Sequence, residues 1–238
     1  MNAHKPLAIA VLAAALLIPH GSSPTTAAEP EAGKNETEMV VGEIVVDDAS
    51  PRPKRDKLED LIEAYLDEAK PETINKKIVV RKAKRLLEIW INDRLITTYK
   101  ADLGGSPVPD KIRRGDNATP EGVFYVARKL PRSTFYKALL FSYPDKQDAE
   151  RGLKAKLISK NQRDAIVNAI DACRVPPQNT RLGGALEIHG YGGSGEDWTL
   201  GCVAIANEPM LEVFNWAEVG CRKVRGKRVP KTLIVIAP

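Results

Sequence analysis

Two apolar runs, Leu186 to His189 and Val203 to Ala206, are joined by a loop that carries Gly190, Gly192, Gly193, Gly195 and Gly201. Short apolar runs bounded by glycine read as buried strands. A histidine closes the first run, and Cys202 opens the second thirteen positions later. The chain is organised around this stretch, and its chemistry is expected here.

Composition limits what the stretch can mean. With 238 residues and 43% hydrophobic content, the chain can bury one good core, so one domain with appendages is expected. A net charge of +5 suits an acidic polymer, such as a cell-wall peptide or nucleic acid, and equally a soluble basic protein.

The first residues read as an address. Lys5, an apolar run from Leu7 to Ile18, Pro19 and a small-residue stretch ending Thr26-Ala27-Ala28 follow the order of a secretory signal peptide. The run is short for a transmembrane helix, and an uncleaved anchor is the alternative. Cleavage near Ala28 would place the protein in the periplasm and remove His4 and His20. His189 would then be the only imidazole, which disfavours the multi-histidine ligand sets of zinc hydrolases. No metal or cofactor is expected. In an oxidising compartment the three cysteines leave one over: Cys202 is free, with Cys173 and Cys221 either bridged or separately buried.

Residues 29–75 read as a linker followed by an amphipathic helix, and residues 76–238 as the domain that carries the histidine–cysteine stretch. Glu29 to Arg55 is acidic and Pro-rich, with only Ile44-Val45-Val46 apolar. From Asp56, apolar residues at helical spacing predict a helix over 56–69, stopped by Pro71. From Ile78 the period becomes two. Strands are expected at Lys77 to Arg81, Leu86 to Ile91 and Leu95 to Tyr99, with Asn92-Asp93 as a hairpin turn, and again at Val123 to Val126 and Leu233 to Ile236. Helices are expected near 160–172 and 208–217, the latter capped by Asn207. The segment 131–177 reads as an irregular insertion, either a lid or packing material. The fold class is mainly β, a closed or sandwich-like sheet with peripheral α-helices.

A nucleophilic cysteine needs a base for its proton and donors for the oxyanion formed when it attacks a carbonyl. His189 is the available base. The Gly190 carbonyl is expected to orient the imidazole, with Asp197 as a less favoured orienter. Gly201 permits close backbone approach, so the amides of Leu200, Gly201 and Cys202 are the candidate oxyanion donors. The alternative is bland: a buried cysteine and a satisfied structural histidine.

Ile188-His189-Gly190, followed by Asp197-Trp198-Thr199-Leu200-Gly201-Cys202-Val203-Ala204, resembles the catalytic signature of the L,D-transpeptidase (YkuD-type) domain. Arg85-Leu86-Leu87 with Asn92-Asp93 resembles the family's opening hairpin, and Lys111 to Gly122 its loop before a Val-Phe-Tyr strand. Leu200 stands where the family pattern has His, and Ala204 where it often has Arg.

The resemblance implies acyl transfer on peptidoglycan stem peptides in cell-wall biogenesis and cell shape. Cys202 is then the nucleophile, His189 the base and Gly190 its backbone orienter, with amides of Leu200 and Gly201 at the oxyanion. Lys111, Arg113, Arg114, Trp198 and Thr199 are the expected substrate contacts. The acceptor is an amine, a protein or water, and nucleic acid is not an expected partner. Contact with a membrane is expected only through the export signal.

Overall fold

The computed structural model describes residues 57–70 and 73–238, all within one compact unit, Pro51–Pro238. The expected signal peptide, the linker and the Asp56 cap lie outside the described residues. Four helices and ten strands follow in order: α1 (Leu58–Ala69), β1 (Lys76–Arg81), β2 (Leu86–Ile91), β3 (Arg94–Lys100), β4 (Gly122–Ser133), β5 (Tyr136–Phe141), α2 (Lys146–Lys154), α3 (Lys160–Asp171), β6 (Glu187–His189), β7 (Val203–Ala204), α4 (Asn207–Trp216), β8 (Cys221–Val224), β9 (Lys227–Pro230) and β10 (Thr232–Ala237).

Eight strands form one mixed sheet in the order β3-β2-β1-β10-β4-β5-β6-β7, and β8-β9 is a separate hairpin. β10 returns from the C-terminus to lie parallel to β1 and antiparallel to β4. The two edges of the large sheet also meet. Asp102, two residues past β3, exchanges backbone hydrogen bonds with Ala204 of β7 at 2.8 and 2.9 Å, and Gly104 bridges Thr199. The sheet is therefore closed by the segment that leads into Cys202, which satisfies edge groups otherwise left unpaired. One core runs through it, including Ile78, Val80, Leu87, Ile89, Phe124, Val126, Leu139, Phe141, Ile188, Val203 and Ile234, with Met210 and Val213 of α4 packed on one face.

The segment 131–177 is not an irregular insertion. It contains β5, which pairs between β4 and β6 as an interior strand, and α2, which was not expected from the sequence. Continuous burial over Ala138–Phe141 explains why no two-residue alternation marks β5. Both α2 and α3 begin with reciprocal capping boxes, Asp145/Asp148 and Ser159/Gln162. Their apolar faces surround Leu182 with Ala149, Ile158 and Ile166, forming a second small core.

The basic stretch 221–231 carries the β8-β9 hairpin. Arg225 and Gly226 supply the positive φ angles of its two-residue turn. The N-cap of α4 is Ala206 rather than Asn207, whose Oδ1 instead accepts from the Tyr191 amide at 2.9 Å. Cys173 and Cys221 form a disulfide that ties the end of α3 to this hairpin across 48 positions, leaving Cys202 as the free cysteine. Closing a loop of that length is worth about 4 kcal/mol in the chain-entropy account.

Candidate active site

β6 and β7 are parallel, with His189 opposite Ala204 and Ile188 opposite Val203. Cys202 lies two positions before Ala204. Side chains alternate along extended backbone, so the thiol and the imidazole emerge on the same face of the sheet. Ala204 is itself fully buried at the seam with Asp102, and a Cβ at Gly192 would stand 2.5 Å from its methyl.

His189 is 1% exposed. Its ring stacks on Phe135 at 4.5 Å and meets the edge of Trp198 at 5.8 Å. Nδ1 lies 2.7 Å from the Gly190 carbonyl oxygen. A carbonyl only accepts, so Nδ1 carries the proton and Nε2 holds the free lone pair. Burial holds the imidazole pKa below its usual 6.5, opposed by the Gly190 bond and the Asp102 charge, so the ring is neutral at neutral pH. No side chain fits at position 190: a Cβ there would stand 2.5 Å from Asn207 Oδ1 and 2.9 Å from the Phe135 carbonyl.

Burial pushes the Cys202 thiol up to about 11. The Glu187 carboxylate adds to this, while the Glu187 backbone and the Lys111 charge oppose it. The resting pair is therefore neutral on both sides rather than a thiolate–imidazolium pair. Among the described residues no hydrogen bond joins the two groups. The thiol instead faces the Ala185 carbonyl at 3.7 Å.

The turn 199–202 is held internally. Thr199 Oγ1 donates to the Cys202 carbonyl at 2.8 Å and accepts from the Gly201 amide at 3.1 Å. Gly201 adopts φ +124°, and a Cβ there would come within 2.6 Å of the Ala118 carbonyl, so this turn requires glycine. The Gly201 amide is thus already engaged. Among the described residues, the amides of Leu200 and Cys202 have no hydrogen-bond partner, and these two flank the thiol.

The expected substrate contacts fall into two groups. Trp198, Arg113 and Arg114 are exposed, while Lys111 and Thr199 are buried. Lys111 is 2% exposed, and its ammonium bonds Asp116 Oδ1 at 2.7 Å and the Arg113 carbonyl at 3.1 Å. The structure thus places Lys111 as a loop anchor whose charge reaches the thiol, and Thr199 as the lock of the turn. Leu200 is 74% exposed beside Cys202 and gives the rim an apolar edge. Asp197 does not orient the imidazole. It pairs with Arg85 at 2.6 Å and accepts from the Leu103 amide.

The residue that sequence reasoning missed is Asp102. Fully buried, it accepts from the amides of Gly193 at 3.1 Å, Ser194 at 3.4 Å and Gly195 at 2.7 Å, from Ser194 Oγ at 2.9 Å and from Trp198 Nε1 at 3.2 Å. One carboxylate thus folds the glycine loop and presses Trp198 toward His189. Its signal in the sequence is faint: an acid directly before Leu103-Gly104-Gly105, where the β3 pattern breaks. Among the described residues, no group of three or more His, Cys, Asp or Glu is placed to hold a metal.

A family model described as the L,D-transpeptidase catalytic domain, YkuD, matches residues 75–229. Among solved structures, the helical cell shape determining protein Pgp2 from Campylobacter jejuni is 20% identical, over 69% of this chain and 48% of that one, with a TM-score of 0.44. Bd1075 of Bdellovibrio bacteriovorus is 21% identical, over 70% and 49%, with a TM-score of 0.43. An L,D-transpeptidase from Xylanimonas cellulosilytica DSM 15894 is 15% identical, over 74% and 68%, with a TM-score of 0.39. The chain spans about half the length of the first two. No curated protein matches it.

Proposed function

The chain belongs to the YkuD family of L,D-transpeptidase catalytic domains, and from that premise we propose that it is an exported cysteine acyltransferase acting on peptidoglycan stem peptides in cell-wall biogenesis. The observation that carries the reading is the set of groups around Cys202. The free cysteine has two unpartnered amides, of Leu200 and Cys202, beside it, and a neutral imidazole with a fixed tautomer on the same sheet face.

The reaction follows from these groups. Substrate in the cleft displaces water, and the thiol turns from the Ala185 carbonyl toward His189 Nε2. The imidazole takes the proton as sulfur attacks the carbonyl of an amide whose nitrogen belongs to a D-amino acid. The developing oxyanion meets the Leu200 and Cys202 amides, which lose no existing bond in turning to it. The imidazolium returns its proton to the leaving amine, and a thioester remains on Cys202. An acceptor amine attacks the thioester, His189 takes its proton, and a new amide forms as the thiol is restored. With water in place of the amine, the product is a shortened peptide.

Incubation of the purified protein with defined tetrapeptide muropeptides tests this reading. Intact-mass analysis is expected to show a thioester on the wild type, absent in Cys202→Ala and strongly reduced in His189→Ala. Product analysis then separates a crosslink from hydrolysis. Turnover that survives Cys202→Ala would overturn the assignment.

A further inference from the structure

We propose that the hollow formed by Arg113, Arg114 and Arg181 is an anion subsite that takes a free carboxylate of the peptide bound at Cys202, an inference that rests on the peptide-acylation reading above. The cavity, about 310 Å³, is lined by these three arginines with Leu157, Asn179 and Thr180. No carboxylate lines it. Asp116, the acid nearest in sequence, is fully occupied: Lys111 Nζ and the Ala118 amide bond one oxygen, and the Ile112 and Arg113 amides the other. Asp110 is paired with Arg151 at 2.6 Å.

Among the described residues, the guanidinium groups of Arg113 and Arg181 have no hydrogen-bond or ion-pair partner, and that of Arg114 donates only to the Gln178 carbonyl at 3.3 Å. Three guanidinium groups around one hollow repel each other unless an anion joins them. Their planar donor forks match the two oxygens of a carboxylate.

The cluster is held in place by backbone, not by chance proximity of flexible side chains. The Arg114 amide donates to the Arg181 carbonyl at 2.8 Å. Gly183 is packed so closely that a Cβ there would lie 3.2 Å from Lys111 Cε and 3.6 Å from Arg114 Cα. The segment that carries Arg181 runs on to Ala185, whose carbonyl faces the Cys202 thiol at 3.7 Å. Four residues of extended chain span at most about 14 Å. A peptide with its scissile carbonyl at Cys202 therefore reaches the arginines with a group up to about four residues away.

The test uses full-length Cys202→Ala protein, which binds without turning over. Stem tetrapeptides with their carboxylates free or amidated are titrated calorimetrically against this protein and against versions that add R113Q/R181Q or R113K/R181K, with thermal melting to check the fold. The free peptide is expected to bind about 10- to 100-fold more tightly than the amidated one. That preference is expected to vanish with R113Q/R181Q and to survive in part with R113K/R181K. Equal affinity for the two peptides, binding of neither, or a preference that persists in R113Q/R181Q would overturn the subsite. Binding as expected, without thioester formation in the wild type, would overturn the acylation reading alone.

Discussion

Two segments flank the thiol and are fixed in opposite ways. The glycine loop 190–198 is gathered by one buried charge, Asp102, through three backbone amides, a hydroxyl and an indole. The strap 178–185 on the other side is held mainly by neutral groups, with one bond from the Arg114 guanidinium to the Gln178 carbonyl. Gln178 donates to the Tyr143 and Pro176 carbonyls and accepts from the Ala185 amide, while the Tyr143 hydroxyl donates to the Leu182 carbonyl. Both anchors set shape. Only the charged one also acts at a distance, because Asp102 raises the His189 pKa against the effect of burial. Position and proton affinity are therefore coupled on the histidine side of the cleft and separate on the other.

The most severe way to probe this difference is Asp102→Ala, which deprives three loop amides, a hydroxyl and an indole of their shared acceptor. A stability loss of about 3–5 kcal/mol is expected from several lost hydrogen bonds to a charged group, together with an acylation rate about 100-fold lower as Trp198 and His189 lose their setting. Denaturant unfolding and single-turnover thioester formation measure the two effects. Gln178→Ala removes neutral bonds only, so a smaller loss of about 1–3 kcal/mol is expected. A cost equal to that of Asp102→Ala would erase the comparison.

The pH profile sharpens it further. The imidazole must be neutral to act as base, so kcat/KM falls on the acid side through a pKa below 6.5. Asp102→Asn removes the charge that favours imidazolium, and the acid limb is expected to move to still lower pH. In Gln178→Ala the limb stays where it is. An upward shift in Asp102→Asn would contradict the role given to the charge. The smallest effect is expected from Trp198→Phe, which keeps a ring beside His189 but deletes one hydrogen bond to Asp102. About 0.5–1.5 kcal/mol in chemical denaturation, with an unchanged acid limb, is the expected result.

What could be read from the sequence was local. His189, Gly190 and Cys202 lie within one short stretch, and the runs rich in branched and aromatic residues announced β1, β2, β3 and β10. Asp102 escaped notice because its partners lie 91 to 96 positions away, and an acid at a strand end looks like a solvated one. β8-β9 escaped because no residue of its strands is fully buried and charge falls on both faces, leaving no alternation to detect. Arg181 carries no motif. Its meaning arises only when the backbone pairs it with Arg114. The burial of Lys111 was equally hidden, since a lysine in a basic loop reads as solvent-facing until Asp116 folds back onto it.

The seam at Asp102 and Ala204 has a consequence for when the protein becomes chemically competent. A chain that has formed its hairpins but not joined its outermost strands carries the cysteine without the assembled turn, the ordered loop or the oriented imidazole. On the proposed mechanism, thioester formation is therefore a readout of complete closure. By the same linkage, a ligand that binds reversibly only to the closed sheet braces the Asp102–Ala204 seam.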